Sequence, residues 1–161
     1  MATLRDVLAE GRVLDLGPLP APRLAPGATL PQVLPFLARG RRGAVVAVEG
    51  TRPLGIFTER DVILRLLGGP PAGGEERAHT ALRDVMSHPL ITARRQATLS
   101  EAVSCMVEHG VRHLVIVDRH GDLRGLLTTN DVVQFLTDRF PEETLNLPPR
   151  LHQQYGSREG A

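Results

Sequence analysis

The chain has 161 residues, of which 42% are hydrophobic, and its formal net charge at pH 7 is +1. This length permits one compact domain with a buried core, and the small net charge gives no general attraction to nucleic acid or to an anionic membrane. One cysteine excludes an internal disulfide and suits a reducing compartment, and no stretch approaches the roughly 18 apolar residues of a membrane span. We therefore expect a soluble, cytoplasmic protein whose partners include neither membrane nor nucleic acid.

The chain begins with a segment that recurs in its second half. A short helix is predicted from Thr3 to Glu10, and its Leu-Arg-Asp-Val sequence returns at residues 82–85. Residues 17–27 are then rich in proline, which favours extended chain over helix. The corresponding Pro-Leu-Ile-Thr of the second half, residues 89–92, predicts a short strand, so that in the first half a proline-rich run replaces this strand.

An amphipathic helix is predicted next in each half. Apolar residues follow the helical spacing i, i+3, i+4, i+7 from Leu30 and again from Leu99. A Thr-Leu-Ser-Glu capping box starts at Thr98, and a Thr-Leu-Pro-Gln near match starts at Thr29. Pro35 interrupts the first pattern, and an interior proline costs a helix about 3 kcal/mol. We therefore expect the first helix to be bent or shortened there.

Two apolar runs follow each of these helices and predict a β-hairpin. The runs are residues 44–48 and 54–57 in the first half, and 114–117 and 123–127 in the second. With the helix that follows each hairpin, the order in each half is strand, helix, strand, strand, helix.

The strongest pattern is a motif that the chain contains twice. Gly-Ile-Phe-Thr-Glu-Arg-Asp at residues 55–61 returns as Gly-Leu-Leu-Thr-Thr-Asn-Asp at residues 125–131. Each copy predicts a strand that ends at Thr, which then caps a helix with Asp at its third position. The spacing between matched residues is constant from Gly40 onward and shorter by one before it, which fits a length change at a helix end.

Such a long, fixed period is typical of repeated supersecondary units. We predict an α/β (α+β) fold made of two βαββα repeats. The boundaries are 12–67 for the first repeat, 68–81 for a linker, 82–138 for the second repeat and 139–161 for a C-terminal tail.

The paired Gly-apolar-apolar-Thr-x-x-Asp motifs, together with Gly-Val-Arg-His-Leu-Val-Ile-Val-Asp at residues 110–118, resemble a pair of cystathionine-β-synthase-type (CBS) domains, called a Bateman module. The resemblance covers about residues 12–138. It implies two repeats packed sheet to sheet about a pseudo-two-fold axis, with two clefts that commonly bind adenosine-containing ligands in this family. It also implies a homodimer. Departures from the family pattern include Val115, where the family often has proline, and Gly43-Ala44 opposite His113-Leu114.

The repeated motif has the chemistry to contact a nucleotide. An ionised Asp can accept hydrogen bonds from both ribose hydroxyls, and the Thr hydroxyl with the free N–H groups of the first helical turn can hold phosphate. The preceding Gly lets the backbone approach closely. A simpler interpretation is that Thr-x-x-Asp only caps the helix. By resemblance, the ribose and phosphate candidates are Thr58, Asp61, Thr128 and Asp131.

Four further residues are candidates for ligand contact. The resemblance places Thr92 against adenosine and Arg112 and His113 near the ligand, and Arg60 could meet a phosphate from the first motif's helix. For Arg60, Arg112 and His113 the alternative is an exposed charge or a polar strand end. We expect the second motif to carry the stronger site, because its lead-in at Thr92 is free of proline, whereas Pro22 in the first has lost a backbone donor.

No catalytic or metal-binding constellation is predicted. His109 and His113 are four apart in the sequence, but a helix is predicted to end near Gly110, so their side chains should diverge. Cys105 falls within a helical pattern and is predicted to be a packing residue or a partly exposed thiol. The chain also lacks a P-loop lysine.

We therefore expect a regulatory protein, not an enzyme, that binds AMP, ADP, ATP or a related adenosyl ligand between its repeats. It would need no other cofactor, and its homodimer geometry would signal ligand binding to an effector protein of unknown identity. The alternative is a ligand-independent dimerisation or interaction scaffold whose clefts are vestigial.

Overall fold

A computed structural model describes residues 3–17, 19–68 and 77–141 of the chain. Most of the predicted linker and C-terminal tail lie outside these residues. The described helices are α1 (Leu4–Glu10), α2 (Leu30–Arg39), α3 (Glu59–Asp61), α4 (Leu82–Val85), α5 (Leu99–His109) and α6 (Thr129–Arg139). A 3₁₀ turn spans Val13–Leu16, and a π-helical segment, Val62–Leu67, continues α3. The described strands are β1 (Arg23–Leu24), β2 (Ala44–Glu49), β3 (Arg52–Thr58), β4 (Thr92–Arg94), β5 (His113–Val117) and β6 (Leu123–Thr128).

The strands form two three-stranded sheets with the same topology. In the first sheet β1 pairs in parallel with β2, and β2 pairs antiparallel with β3. In the second sheet β4, β5 and β6 repeat this arrangement. The predicted α+β fold with two βαββα repeats is therefore confirmed.

The central strands β2 and β5 are buried on both faces, which explains their continuous apolar sequences. Alternate residues of β2 point in opposite directions, so Val45 and Ala47 pack against helix α2, whereas Val46 packs against the second sheet. There Val46 belongs to one buried cluster with Val115 and Leu126. The two repeats thus pack sheet to sheet, as the resemblance implied.

Each repeat is completed by a lead-in segment that precedes the other repeat in the chain. Val13 is fully buried in the core of the second repeat, where its N–H donates to the carbonyl of Ala97 (2.9 Å). Leu82 is fully buried in the core of the first repeat, where its N–H donates to the carbonyl of Ala28 (2.7 Å). Packing therefore exchanges the lead-in segments between the repeats predicted at 12–67 and 82–138.

The glycines of the repeated motif are explained by these exchanged segments. Ile56 and Ser87 are joined by two backbone hydrogen bonds, which bring Met86 across Gly55 so closely that a Cβ there would collide with its side chain. A Cβ on Gly125 would lie 2.7 Å from the carbonyl oxygen of Leu19. Gly125 therefore cannot carry a side chain unless the backbone at Leu19 moves, whereas at Gly55 the side chain of Met86 would have to shift.

One expectation about the repeats is wrong and two are modified. Pro35 does not shorten α2, which continues beyond it to Arg39, so of the two expected effects only a bend stays a prediction. The proline-rich run retains a strand, since Arg23 and Leu24 pair with β2. The expected length change at the helix end is present, because α2 has 10 residues and α5 has 11, each followed by its glycine. It is offset before the hairpin, where Ala44 pairs with Thr58 as His113 pairs with Thr128, and the spacing changes again within the hairpin.

The turn of the second hairpin is therefore longer by one residue, and Gly43, not Arg42, is the structural equivalent of Arg112. The carbonyls of Gly43 and Arg112 accept from Glu59 and Thr129 at the two equivalent positions. Across the described part of the chain, no helix is long and apolar enough to cross a bilayer.

Candidate functional site

Both copies of the Thr-x-x-Asp motif form the predicted helix cap. Asp61 Oδ2 accepts from the backbone N–H (2.9 Å) and the hydroxyl (2.8 Å) of Thr58. Asp131 Oδ2 accepts in the same way from Thr128, at 2.7 and 2.9 Å. Capping thus engages one carboxylate oxygen in each motif, and the partners of the other oxygen distinguish the two copies.

In the first motif the second oxygen is held by the exchanged lead-in and by the motif's own helix. Ser87 Oγ donates to Asp61 Oδ1 at 2.8 Å, and Arg65 Nε lies 3.3 Å from the same oxygen. Arg65 also donates to the carbonyl of Met86 (3.0 Å) and to Ser87 Oγ (3.1 Å). Asp61 is buried but keeps contact with the cavity described below.

In the second motif a guanidinium from the first repeat occupies the carboxylate. Arg42 Nη1 lies 2.6 Å from Asp131 Oδ1, and Arg42 Nη2 lies 2.9 Å from Oδ2 and also donates to the carbonyl of Leu126. The side chains of Arg42 and Asp131 are only 15% and 20% exposed. This two-pronged geometry is the strongest form of an Arg–carboxylate pair, because two charge-assisted hydrogen bonds act together.

A cavity of about 620 Å³ lies between the first motif and the start of β5. This volume is within the range of small-molecule sites, about 300–1,000 Å³. Its apolar lining includes Ile56, Ile63, Leu64 and Val111, and its charged lining includes Glu59 and Arg65. Five of the eight predicted ligand-contact residues also line it, namely Thr58, Arg60, Asp61, Arg112 and His113.

The other three predicted residues lie outside this cavity. Thr92 is exposed on the edge strand β4, where it pairs with Val115. Thr128 is buried, and Asp131 is engaged by Arg42. The structure thus brings residues of the two repeats together around Asp61, and it separates Thr92, Thr128 and Asp131 from that group.

The charged and titratable part of the cavity wall consists of three arginines, two carboxylates and one histidine among the described residues. Arg60 and Arg112 are exposed in the cavity, and Arg60 Nη1 lies 3.5 Å from the carbonyl of Gly110. His113 Nε2 donates to the carbonyl of Arg42 at 2.8 Å. Burial lowers the pKa of His113 below its usual 6.5, although the hydrogen bond to Arg42 opposes that shift. An anionic ligand would therefore meet guanidinium groups rather than an imidazolium.

The CBS domain family model matches residues 18–68 and 82–138. The chain belongs to the CBS domain family. An uncharacterized protein of Methanopyrus kandleri is 40% identical over 93 residues, which cover 57% of this chain and 45% of that protein. The chain spans less than half of the length of each of the first three curated relatives that it matches.

Solved structures of CBS proteins have the same fold. A CBS domain protein from Pyrobaculum aerophilum complexed with AMP has a TM-score of 0.65 and 24% identity, over 79% of this chain and 98% of that one. A CBS domain pair in complex with 5′-methylthioadenosine and S-adenosyl-L-methionine has a TM-score of 0.66 and 16% identity, over 77% of this chain and 98% of that one.

Three polar residues around the CBS motifs were missed from the sequence. Arg65 carried a signal, because it stands one helical turn after Asp61 on a predicted helix, where opposite charges meet. Arg42 carried no signal, because its pairing with the distant Asp131 leaves no local pattern. Ser87 carried no signal, since its position depends on the exchange of lead-in segments.

The described histidines and the cysteine of this CBS pair do not converge on a metal site. His109 ends α5 and His113 begins β5, and His109 Nδ1 donates to the carbonyl of Cys105 at 2.9 Å. Over residues 3–17, 19–68 and 77–141, no three His, Cys, Asp or Glu side chains gather closely enough to hold a metal ion.

Proposed function

We propose that this CBS pair is a regulatory protein that binds an adenine nucleotide in the cavity beside Asp61. The observation that carries the proposal is the 620 Å³ cavity, which joins the first Thr-x-x-Asp motif to residues 110–113 of the second repeat. Two structurally similar CBS proteins were solved with AMP or with S-adenosyl-L-methionine, which supports an adenosine-containing ligand.

The lining divides into parts that suit the parts of a nucleotide. Ile56, Ile63 and Leu64 offer an apolar surface for the adenine ring. Asp61 Oδ1 retains acceptor capacity for a ribose hydroxyl, since a carboxylate oxygen has two lone pairs. Arg60 and Arg112 have no ion pair among the described residues and can pair with phosphate oxygens, which guanidinium groups bind in a two-pronged geometry.

The geometry favours the first motif over the second, the reverse of the order expected from the sequence. A ligand that used Asp131 as its ribose acceptor would first have to displace Arg42 from a partly buried ion pair. Which motif binds more tightly stays a prediction, and we assign the main site to Asp61.

The position of the cavity between the two repeats suggests how ligand binding could be signalled. A ligand there would contact both repeats and would change the free energy of their mutual arrangement. We propose that a homodimer transmits this change to an effector protein and that no reaction accompanies it. ATP should therefore remain intact when it is incubated with the protein.

Calorimetry on two matched variants tests the assignment. Titration with AMP, ADP, ATP and S-adenosylmethionine identifies the ligand, and Asp61→Asn should then weaken its binding about tenfold or more, since a ribose acceptor is lost. Asp131→Asn should change the affinity by less than about threefold, because Asp131 is already occupied by Arg42. Denaturant melts of both variants control for the loss of a helix cap, which costs about 0.5–2 kcal/mol in either motif.

Unchanged affinity in Asp61→Asn would contradict the proposed site, and a larger loss in Asp131→Asn would restore the order expected from the sequence.

The alternative function, an interaction scaffold with vestigial clefts, also has a specific observation in its favour. The Asp of each motif already has partners within the protein, namely Ser87 and Arg65 for Asp61 and Arg42 for Asp131. A scaffold would show no thermal shift with any of the four ligands.

A further inference from the structure

A second cavity, of about 610 Å³, lies at the opposite end of the second sheet from the Asp61 cavity. It is formed where β4 and β5 end and β6 begins, whereas the Asp61 cavity adjoins the start of β5. Its charged and titratable lining consists of Arg94, Arg95, Asp118, Arg119, His120 and Arg124. Four guanidinium groups thus surround one carboxylate, which leaves three positive charges in excess in a chain of net charge +1.

Only one of these arginines has an acidic partner among the described residues. Arg124 Nε and Nη2 donate to Asp118 Oδ2 at 2.9 and 2.6 Å. These bonds are the main reason that the pKa of Asp118 is lowered to about 2. The carboxylate is therefore ionised, and both of its oxygens already accept hydrogen bonds. Arg119 bonds only to His120 Nε2 (2.9 Å), and within the described ranges the side chains of Arg94 and Arg95 have no hydrogen bond or ion pair.

The backbone that carries these arginines is fixed. The carbonyl of Arg95 accepts from Leu14 N (2.9 Å), and that of Arg94 accepts from Ala97 N (3.0 Å). On the other side, Asp118 Oδ1 accepts from the backbone N–H groups of His120 (2.8 Å) and Asp122 (3.1 Å), which orders the turn. The guanidinium groups of Arg94, Arg95 and Arg119 are therefore carried by backbone that is already hydrogen-bonded. Little backbone freedom would be lost when a ligand binds to them.

The fold itself does not require this concentration of charge. In the first repeat Ala25 and Pro26 occupy the positions of Arg94 and Arg95, and Leu54 occupies that of Arg124. Arg119 lies in the hairpin turn that is longer in the second repeat. The same architecture is thus built without these arginines, and their presence in one repeat points to a role other than folding.

We propose that this second cavity, which we call the arginine cavity, binds a small oligophosphate. Guanidinium groups match phosphate oxygens in charge and geometry, and three of them converge here without a carboxylate partner among the described residues. Val117 is the one apolar residue among the described lining residues, and that lining contains no Phe, Tyr or Trp ring on which a base could stack. Its one aromatic ring is the imidazole of His120, whose Nε2 already accepts from Arg119 Nε at 2.9 Å. The cavity therefore recognises a phosphate chain by its charge and not a base or an apolar peptide side chain. The proposal is independent of nucleotide binding at Asp61.

Calorimetric titration with sodium tripolyphosphate tests the proposal on the whole chain. The wild-type protein should bind it, more weakly as NaCl is raised from about 50 to about 200 mM. Arg94→Gln/Arg95→Gln should weaken binding about tenfold or more, since each loses a charge-assisted contact. The control Arg5→Gln/Arg23→Gln removes the same two charges from exposed positions outside both cavities and should change affinity by less than about twofold.

Two further measurements make the outcome decisive. A hexaglutamate peptide should bind more weakly than tripolyphosphate. The affinity for AMP, which has no phosphate chain, should be the same in Arg94→Gln/Arg95→Gln as in the wild type. The proposal is overturned if tripolyphosphate does not bind, if the control variant loses as much affinity, or if hexaglutamate binds more tightly. Thermal melts establish that the variants are folded, which is expected because the replaced side chains of Arg94 and Arg95 make no hydrogen bond or ion pair with a partner among the described residues.

Discussion

At the scale of single residues, the side chain of Arg42 controls the state of the second CBS motif. It reaches from the first repeat to the carboxylate of Asp131, and no equivalent arginine reaches Asp61, because the position equivalent to Arg42 in the second hairpin is Val111. The pseudo-symmetry of the backbone is therefore broken by side chains, with Arg42 at Asp131 in one motif and Ser87 and Arg65 at Asp61 in the other. One motif faces an open cavity, and the other is closed by an internal ion pair.

Replacing Arg42 should cost stability. Arg42→Met leaves the partly buried carboxylate of Asp131 without its ionic partner, and we expect the free energy of unfolding to fall by about 1–3 kcal/mol. Arg41→Met is the matched control, because Arg41 is exposed and adjacent, and it should change stability by less than about 0.5 kcal/mol. Urea melts measure both. An equal effect of the two substitutions would show that the ion pair contributes little.

His113 should make stability depend on pH. Its pKa in the folded protein is lowered below 6.5, chiefly by burial, while Arg42 and Arg112 lower it and Glu59 raises it through their charges. The unfolded chain therefore binds the proton more readily than the folded protein does. The contribution of His113 to the free energy of unfolding is fully present above pH 6.5 and is lost as the pH falls below that value. His113→Gln can keep the hydrogen bond to Arg42 but cannot titrate. Urea melts between about pH 8 and pH 5 should show that the wild type loses more stability than His113→Gln; parallel curves would contradict the prediction.

At the scale of secondary-structure elements, Pro35 lies inside α2 and removes one backbone hydrogen bond from it. The helix continues past it, so the N–H that would donate to the carbonyl of Pro31 is missing from an otherwise regular turn. Pro35 is exposed, and Pro35→Ala should raise the free energy of unfolding by about 1–2 kcal/mol, because the restored bond outweighs the greater freedom of the unfolded chain. Pro31→Ala is the control, since the first-turn N–H has no partner within the helix. Denaturant melts that rank the two substitutions in the reverse order would contradict this interpretation.

Most elements could be predicted because their signals are local. The capping box at Thr98, the two hairpins and the helices that follow them all lie where short patterns indicated. The π-helical form of Val62–Leu67 was not predicted, because the apolar spacing of a short helix does not reveal its hydrogen-bond register. The change in spacing within the hairpin was not predicted either, since matching identical residues does not establish which residues pair across a hairpin.

The candidate site was only half predictable. The two Asp residues and their Thr caps follow from the motif, and the structure forms both caps. The difference between the copies depends on contacts between residues far apart in the chain, Ser87 with Asp61 and Arg42 with Asp131. Such contacts exist only after the two repeats have packed, so the sequence could not show which carboxylate would be left facing a cavity.

At the scale of the whole molecule, apolar side chains remain exposed on the helices. Leu67 is 70% exposed and Val107 is 76% exposed. We expect such residues to be covered in a homodimer, so light scattering at micromolar concentration should give about 35 kDa, twice the 17.5 kDa of one chain. Leu67→Glu/Val107→Glu should shift the mass toward one chain, because charges would be buried at the interface. A wild-type mass of one chain across this concentration range would rule out a stable dimer.

The exchange of lead-in segments has a consequence for how the protein emerges during synthesis. The core of the first repeat includes Leu82 and Val85, so it is complete only after the ribosome has passed into the second repeat. The core of the second repeat in turn requires Val13, which is made near the beginning of the chain. Contacts of this span delay folding because long loops must close first. The duplicated unit is therefore not an independent module: each copy needs a short piece of chain from outside it before its own core is filled.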